Sequence, residues 1–164
     1  MSPDEKGRAL TADLAARVRA DLEAADQQAR ASAELLGKLD QAGAQPDVPA
    51  MAFMSVAIDR AYTALEAAFS RIARELDTVV PTGEDWHAAL LHQMTLPIQD
   101  RRPAVISAET AGKLTLLRRH RHWLRHAYAA SFSWPLMQDA ARTLPQAVAS
   151  AARDLSAFLT FTRD

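Results

Sequence analysis

The sequence predicts an all-α protein, an antiparallel bundle of about four long helices and one short helix, and three observations support this fold class. Alanine makes up about a fifth of the 164 residues, and Leu, Arg, Glu and Gln, which also favour helices, supply much of the rest. No segment alternates apolar and polar residues as a half-buried strand does, and β-branched residues are sparse. Short connections join the predicted helices, as in antiparallel bundles.

The first two predicted helices are long and amphipathic. The first lies within residues 1–43, where leucine and valine recur every fourth position in the first half and Gly43 supplies a stop. The second runs from about Pro49 to Asp77, and its apolar residues follow the helical period. Each helix therefore has a long apolar face that must be buried against other helices.

A short third helix is predicted from Glu84 to about Thr95. Two acidic residues, Glu84 and Asp85, suit the positive end of a helix dipole, and Pro97 stops the helix. The sequence therefore places both acidic side chains in the first turn.

The last two predicted helices are again long. The fourth spans about residues 107–131, with Ser107 as its N-cap. The fifth runs from Pro135 to about Phe161. Within it, Pro145 lies inside a second capping pattern, which predicts a kink or a restart of the helix at that point.

Composition indicates a single domain over residues 1–164 and excludes several kinds of site. A chain of this length can bury a sizeable core without a metal or disulfide. Cysteine is absent, which excludes disulfides, thiolate zinc sites and cysteine nucleophiles. No apolar run approaches about 18 residues and the N-terminus is polar, so we expect no membrane span, no secretory signal and a cytoplasmic protein.

Positive charge is concentrated in one segment. The chain carries a formal net charge of −1, yet residues 101–126 contain seven Lys and Arg residues against one acidic residue, Glu109, which is a local net charge of +6. This asymmetry is typical of a binding site for a polyanion. The alternative interpretation is a solvated basic helix face.

The fourth helix combines arginine with histidine in one short segment, residues 117–128. Arginine binds phosphate through a permanent, forked charge, and histidine titrates near neutral pH. RNA cleavage without a metal needs both, because a base must take the 2′-hydroxyl proton and a cation must stabilise the charged phosphorane. The candidate residues of this segment are Arg118, Arg119, Arg121, His122, Arg125, His126 and Tyr128.

Arg121, His126 and Tyr128 form the pattern Arg-x4-His-x-Tyr, which resembles the motif of HepT-like ribonuclease toxins within the HEPN group of helical nucleases. The resemblance covers about residues 45–162. Many HepT proteins carry Asn directly after the motif arginine, whereas this chain has His122, which can also donate a hydrogen bond.

Two earlier pairs of residues add to the resemblance. Trp86-His87 and Arg102-Pro103 are similar in place to landmarks that precede the motif in one HepT-like branch. His87 is therefore a candidate for lining the site, and the alternative is a histidine on the helix surface.

The resemblance implies a HEPN-type helical bundle with a specific activity and specific partners. The activity would be that of a metal-independent endoribonuclease toxin of a toxin–antitoxin pair, with no cofactor. His126 would be the general base and later the general acid, and Arg121 would bind and polarise the scissile phosphate. Tyr128 would line the site and be a candidate for modification by a cognate nucleotidyltransferase antitoxin. The expected partners are RNA, this antitoxin and a second copy of the chain.

Helix geometry adds a separate argument for a homodimer. At about 100° per residue, Arg121 and Tyr128 lie on nearly one face of the helix, while His126 is about 140° from Arg121. A site shared across a two-fold axis would bring the motifs of two subunits together.

Several residues retain more than one interpretation. Tyr128 could be a core residue, and His122 could support the site or pack against a neighbouring helix. Arg118, Arg119 and Arg125 could follow RNA phosphates or pair with acidic residues of the first helix. We expect no metal at His122 and His126, because cysteine is absent and no acidic residue lies near them on the helix.

Two other functions compete with the nuclease. One is a non-catalytic helical binding module for a partner nucleotidyltransferase, in which the motif is idle. The other is a structural or regulatory dimer with a basic patch.

Overall fold

The computed structural model describes the backbone of residues 3–77, 79–126 and 131–161, and the side chains within these ranges from residue 11 onward. Within these ranges there are five helices and no strand, which confirms the predicted all-α class with four long helices and one short helix. The helices are α1 (Pro3–Gln41), α2 (Val48–Leu76), α3 (Trp86–Met94), α4 (Ala108–His126) and α5 (Trp134–Phe161).

Helix α2 lies at the centre of the bundle and packs against each of the other four helices. Its inward side chains include Ile58, Tyr62, Leu65 and Phe69, of which at most 1% is exposed. Burying each of the two aliphatic side chains contributes about 1.5–3 kcal/mol. Because α2 also faces α3 and α4, the polar residues along that side of α2 can reach the segment that carries the motif.

The start of α4 is capped as predicted and is tied to α5. Ser107 Oγ accepts a hydrogen bond from the backbone N–H of Thr110 at 3.1 Å. Asp154 of α5 accepts hydrogen bonds from the Ser107 N–H and the Thr110 hydroxyl. Burial opposes ionisation of Asp154, but these hydrogen bonds and one from Arg153 together outweigh it and lower the pKa of the carboxyl group. The N-terminus of α4 is therefore held in a defined place relative to the core.

Helix α3 begins two residues later than predicted. The helix begins at Trp86, and Glu84 and Asp85 lie in the turn before it. Gly83 has a φ of 93° in this turn, and the side chain of Asp85 makes no capping hydrogen bond. The two acidic side chains are thus at the entrance of the helix instead of inside its first turn.

Helix α5 contains Pro145 without a restart, so of the two predicted outcomes, a kink or a restart, the restart is wrong. The helix continues from Trp134 to Phe161. Proline removes one backbone hydrogen bond, but Leu144 and Val148 on either side of it are at most 1% exposed. The burial of this apolar face favours one continuous helix.

The connection between α3 and α4 is held by a buried ion pair. Arg102 donates to both carboxylate oxygens of Asp77, from Nε at 2.6 Å and from Nη2 at 2.8 Å. Both side chains are at most 1% exposed. The remaining N–H groups of Arg102 reach the carbonyl oxygens of Gln93, Leu96 and Pro103. Arg102 therefore stabilises the connection and is no part of an exposed basic surface.

The described part of α4 ends at His126, whereas the sequence predicts a motif helix over about 107–131. Residues 127–130, which include Tyr128, lie outside the described residues. In the described ranges, no helix combines the length and the apolar character needed to cross a membrane.

Candidate functional site

An open cleft of about 1070 Å³ lies between α4 and the start of α3, together with the turn that precedes α3. It brings together seven of the eight candidate residues from the sequence, and the eighth, Tyr128, lies outside the described residues. The cleft is lined by Glu84, Asp85, His87, Ala88, Arg118, Arg119, Arg121, His122, Trp123, Arg125 and His126.

Arg121 is largely buried at the bottom of this cleft, because it continues the stripe of Leu114 and Leu117 that faces α2. Its side chain is 11% exposed. Nε donates to the hydroxyl of Thr63 at 3.1 Å and lies 3.3 Å from Oδ1 of Asp59. The guanidinium carbon is 6.0 Å from the centre of the Tyr62 ring, close enough for a cation–π contact. The motif arginine is thus held by α2.

Two carboxylates of α2 neutralise much of the charge of the cleft. Asp59 also accepts a hydrogen bond from Nε of Arg125 at 3.1 Å. Glu66, whose side chain is 7% exposed, has Oε1 at 4.0 Å from Nη2 of Arg121. One interpretation of the sequence was that Arg125 pairs with an acidic residue of the first helix. Arg125 does pair with an acidic residue, but that residue, Asp59, belongs to α2.

His126 and His122 stack on each other at the end of α4. Their ring centres are 4.1 Å apart, and both side chains are exposed. Nδ1 of His126 is 2.8 Å from the carbonyl oxygen of His122. A carbonyl oxygen can only accept, so Nδ1 carries the hydrogen and Nε2 of the neutral ring has a free lone pair. His126 is therefore in the tautomer that a general base at Nε2 requires.

His87 reaches the cleft from the first turn of α3. Its Nδ1 is 2.6 Å from Oε2 of Glu66, and its ring lies against that of Trp86 with 3.7 Å between centres. Glu66 accepts the hydrogen of Nδ1, so Nε2 is again the free nitrogen. Of the two positions left open by the sequence, the structure places His87 in the cleft.

His120 faces away from the cleft, although it lies between two arginines that line it. It is 7% exposed, and Nε2 is 2.6 Å from Oγ of Ser55 on α2. Burial lowers the pKa of His120 below its ordinary value, against a smaller opposing effect of Asp59. Only two of the three histidines of the α4 segment are therefore available to a ligand.

Arg118 and Arg119 are the arginines of the cleft for which the described residues provide no carboxylate partner. Nε of Arg118 is buried without a hydrogen-bond partner there. The local net charge of +6 is thus not a continuous free patch. Arg102 is paired with Asp77, and Arg121 and Arg125 are paired with Asp59 of α2. Among the arginines of the cleft, the unpaired positive charge is therefore carried by Arg118 and Arg119, and the acidic Glu84 and Asp85 line the same cleft.

The sequence interpretation missed the three α2 residues beneath the cleft. Asp59, Thr63 and Glu66 follow one another at spacings of four and three, so they lie on one side of the helix. This spacing, in a helix that is otherwise mainly apolar, is a signal that could have identified them. In the described residues, no group of three or more His, Asp or Glu side chains could hold a metal ion.

One comparison with known proteins, that with family models, matches the part of the chain that contains the cleft. A family model described as HepT-like protein matches residues 52–162, which is more than half of the chain and includes the cleft and all of α4. The searches of curated proteins and of solved structures found no significant match. The family match and the all-α bundle together show that this chain belongs to the HepT-like family of HEPN-type helical proteins.

Proposed function

We propose that this protein is a metal-independent endoribonuclease and the toxin of a toxin–antitoxin pair. The observation that carries the proposal is that Arg121 and His126 line one cleft and that His126 has its Nε2 lone pair free. A phosphate-binding cation and a base are the two groups that attack by a 2′-hydroxyl requires.

The reaction would be an internal transfer of the phosphate. Nε2 of His126 takes the proton of the 2′-hydroxyl, the 2′ oxygen forms a bond to phosphorus, and the bond from phosphorus to the 5′ oxygen breaks. Arg121 stabilises the charge on the phosphorane oxygens. The leaving 5′ oxygen gains a proton, so the products are a 2′,3′-cyclic phosphate and a 5′-hydroxyl. None of these steps needs a metal or a cofactor.

The arginines would divide the binding of RNA between them. Arg118 and Arg119, which are free of carboxylates in the described residues, contact phosphates on either side of the scissile bond, and His122 and Arg125 border the same surface. Arg121 reaches the scissile phosphate once that phosphate competes with Asp59 for the guanidinium.

We also propose that the active form is a homodimer with a shared site. In support, Arg121 points to α2 whereas His126 is exposed at the end of α4, as expected for residues about 140° apart on a helix. The test is complementation. Arg121→Ala and His126→Ala chains, each inactive alone, should regain cleavage when mixed under conditions of subunit exchange, because one site of the mixed dimer has both groups. No recovery in a proven mixed dimer would contradict a shared site.

The activity itself is tested on purified protein with RNA in EDTA. We expect cleavage with 2′,3′-cyclic phosphate ends, and His126→Ala should lower the rate by about 10²–10⁴-fold. His92→Ala is the matched control, because His92 is an exposed histidine of α3 outside the cleft. Cleavage that requires a divalent metal, or an unchanged rate for His126→Ala, would contradict the proposal.

One observation favours a second candidate, the non-catalytic binding module for a nucleotidyltransferase. Arg121 already has the carboxylates of Asp59 and Glu66 near it, an arrangement that stabilises a fold without any substrate. This candidate predicts a stable complex with the nucleotidyltransferase and no new RNA ends. The EDTA assay therefore separates the two functions.

We propose a cognate nucleotidyltransferase as the antitoxin and Tyr128 as its target. Transfer of AMP to the Tyr128 hydroxyl, with release of pyrophosphate from ATP, would add a phosphodiester charge close to a phosphate-binding arginine. Intact mass after co-expression tests this. An added AMP is expected on the wild type and not on Tyr128→Phe. Equal addition to both, or none to either, would exclude Tyr128 as the target.

A further inference from the structure

We propose that His87, positioned by Glu66, is a second acid–base residue of the cleft and the proton donor to the leaving 5′ oxygen. This inference rests on the proposed function and deepens it. It assigns to the start of α3 a role that the Arg-x4-His-x-Tyr pattern does not contain.

The geometry of His87 supports this role. Glu66 is nearly buried, and its Oε2 accepts the Nδ1 hydrogen of His87 at 2.6 Å. The Trp86 ring lies against the imidazole and restricts its rotation. Nδ1 is thereby occupied, and Nε2 is the nitrogen that can meet a ligand in the cleft that His87 lines. A carboxylate that orients a histidine in this way is a recurring arrangement in acid–base catalysis.

Glu66 connects this histidine with the motif arginine. One carboxylate oxygen is bonded to His87 and the other is 4.0 Å from Nη2 of Arg121. A single buried side chain of α2 thus sets the position of one group from α3 and one from α4. A phosphate held by Arg121 would therefore be close to Nε2 of His87.

The chemistry requires a second group. In an in-line displacement the entering and the leaving oxygen lie on opposite sides of phosphorus. His126 takes the 2′ proton at Nε2, so it lies on the side of the entering oxygen. A protonated His87 on the other side gives its Nε2 proton to the 5′ oxygen as that bond to phosphorus breaks. His126 gains one proton and His87 loses one, and solvent restores both.

The test compares two leaving groups at one cleavage site. The site is first mapped on an RNA oligonucleotide with wild-type protein, and the same oligonucleotide is then made with sulfur in place of the 5′ oxygen of that bond. A thiolate leaves without protonation. We expect His87→Asn to lower cleavage of the oxygen bond by about 10²–10⁴-fold and to leave cleavage of the sulfur bond nearly unchanged. His126→Ala should lower both.

Two further variants separate positioning from folding. Glu66→Gln should reduce cleavage of the oxygen bond by more than that of the sulfur bond, whereas a defect that acts through Arg121 or through the fold would reduce both equally. His92→Asn, on the exposed side of the same helix, should behave as the wild type on both bonds.

The possible outcomes distinguish this inference from the proposed function. If wild-type protein cleaves but His87→Asn cleaves the oxygen bond equally fast, or loses both bonds equally, the role of His87 is wrong and the nuclease stands. If wild-type protein does not cleave RNA in EDTA, the proposed function is wrong, and the role of His87 is wrong with it.

Discussion

Arg121 of α4 and Asp59 of α2 form an ion pair at the bottom of the cleft, with 3.3 Å between Nε and Oδ1. The arginine that we propose to bind the scissile phosphate therefore has a carboxylate partner within the chain. The pair holds the guanidinium in one orientation, and a phosphate bound there, as we propose, would have to compete with Asp59. Asp59 also forms an ion pair with Arg125.

Replacing Asp59 tests this competition. Asp59→Asn should tighten RNA binding by about threefold to tenfold, because the guanidiniums of Arg121 and Arg125 no longer have to leave a carboxylate to bind phosphate. The effect is small because a partly exposed ion pair contributes little free energy. The measurement is the Kd for an RNA oligonucleotide at fixed salt. Asp26→Asn is the control, since Asp26 pairs with Arg30 on α1 and lies outside the cleft lining. Weaker binding by Asp59→Asn would show that the pair serves to orient the arginines.

Salt dependence should identify the arginines that contact phosphate. Arg119→Ala should reduce the slope of log Kd against log salt by about 0.7–1, since one fewer counterion is released from the RNA. Arg19→Ala, an exposed arginine of α1, should leave the slope unchanged. The measurement is a series of titrations at several salt concentrations. An identical slope for Arg119→Ala and wild type would place Arg119 outside the RNA interface.

The buried pair of Arg102 and Asp77 should dominate the stability of the α3–α4 connection. Arg102→Ala should lower the free energy of unfolding by about 3–5 kcal/mol, because the Asp77 carboxylate is left buried without its partner. Arg101→Ala, at an exposed neighbouring position, should change it by less than about 0.5 kcal/mol. Urea unfolding of the three proteins measures both effects. Similar free energies of unfolding for Arg102→Ala and Arg101→Ala would mean that water reaches the Asp77 carboxylate once Arg102 is removed.

His120 should make stability depend on pH. The folded-state pKa is lowered by burial below the ordinary value of 6.5, so in acid the unfolded chain takes up a proton before the folded chain does. This contribution is complete above the unfolded-state pKa and is lost as the pH falls from there through the folded-state pKa. Unfolding measured between about pH 7 and pH 5 should therefore show a smaller pH dependence for His120→Gln than for wild type. His92→Gln, at an exposed position, should retain the full dependence.

Helix content and order followed from local properties of the chain. Helix-forming composition, the 3.6-residue period and the N-cap at Ser107 act within a few residues, so they predict the five helices and their sequence of lengths. The grouping of Arg118, Arg119, Arg125 and His126 along one cleft is also local, because residues on one stretch of helix necessarily lie close together. The two members of the pattern that the structure describes, Arg121 and His126, likewise lie on one helix, α4.

The partners of these residues were decided only by the tertiary structure. Asp59 and Glu66 are more than 50 positions from Arg121, and nothing in the spacing of α4 indicates that α2 supplies them. Arg102 belongs to the basic segment by sequence, but its burial with Asp77 depends on how the α3–α4 connection folds back on α2. A charge count along the chain is one-dimensional, whereas the charge that a ligand meets depends on which carboxylates the packed helices bring against each arginine. For this reason the sequence by itself determined the helices and the motif, and only the packing of α2, α3 and α4 decided which charges are free.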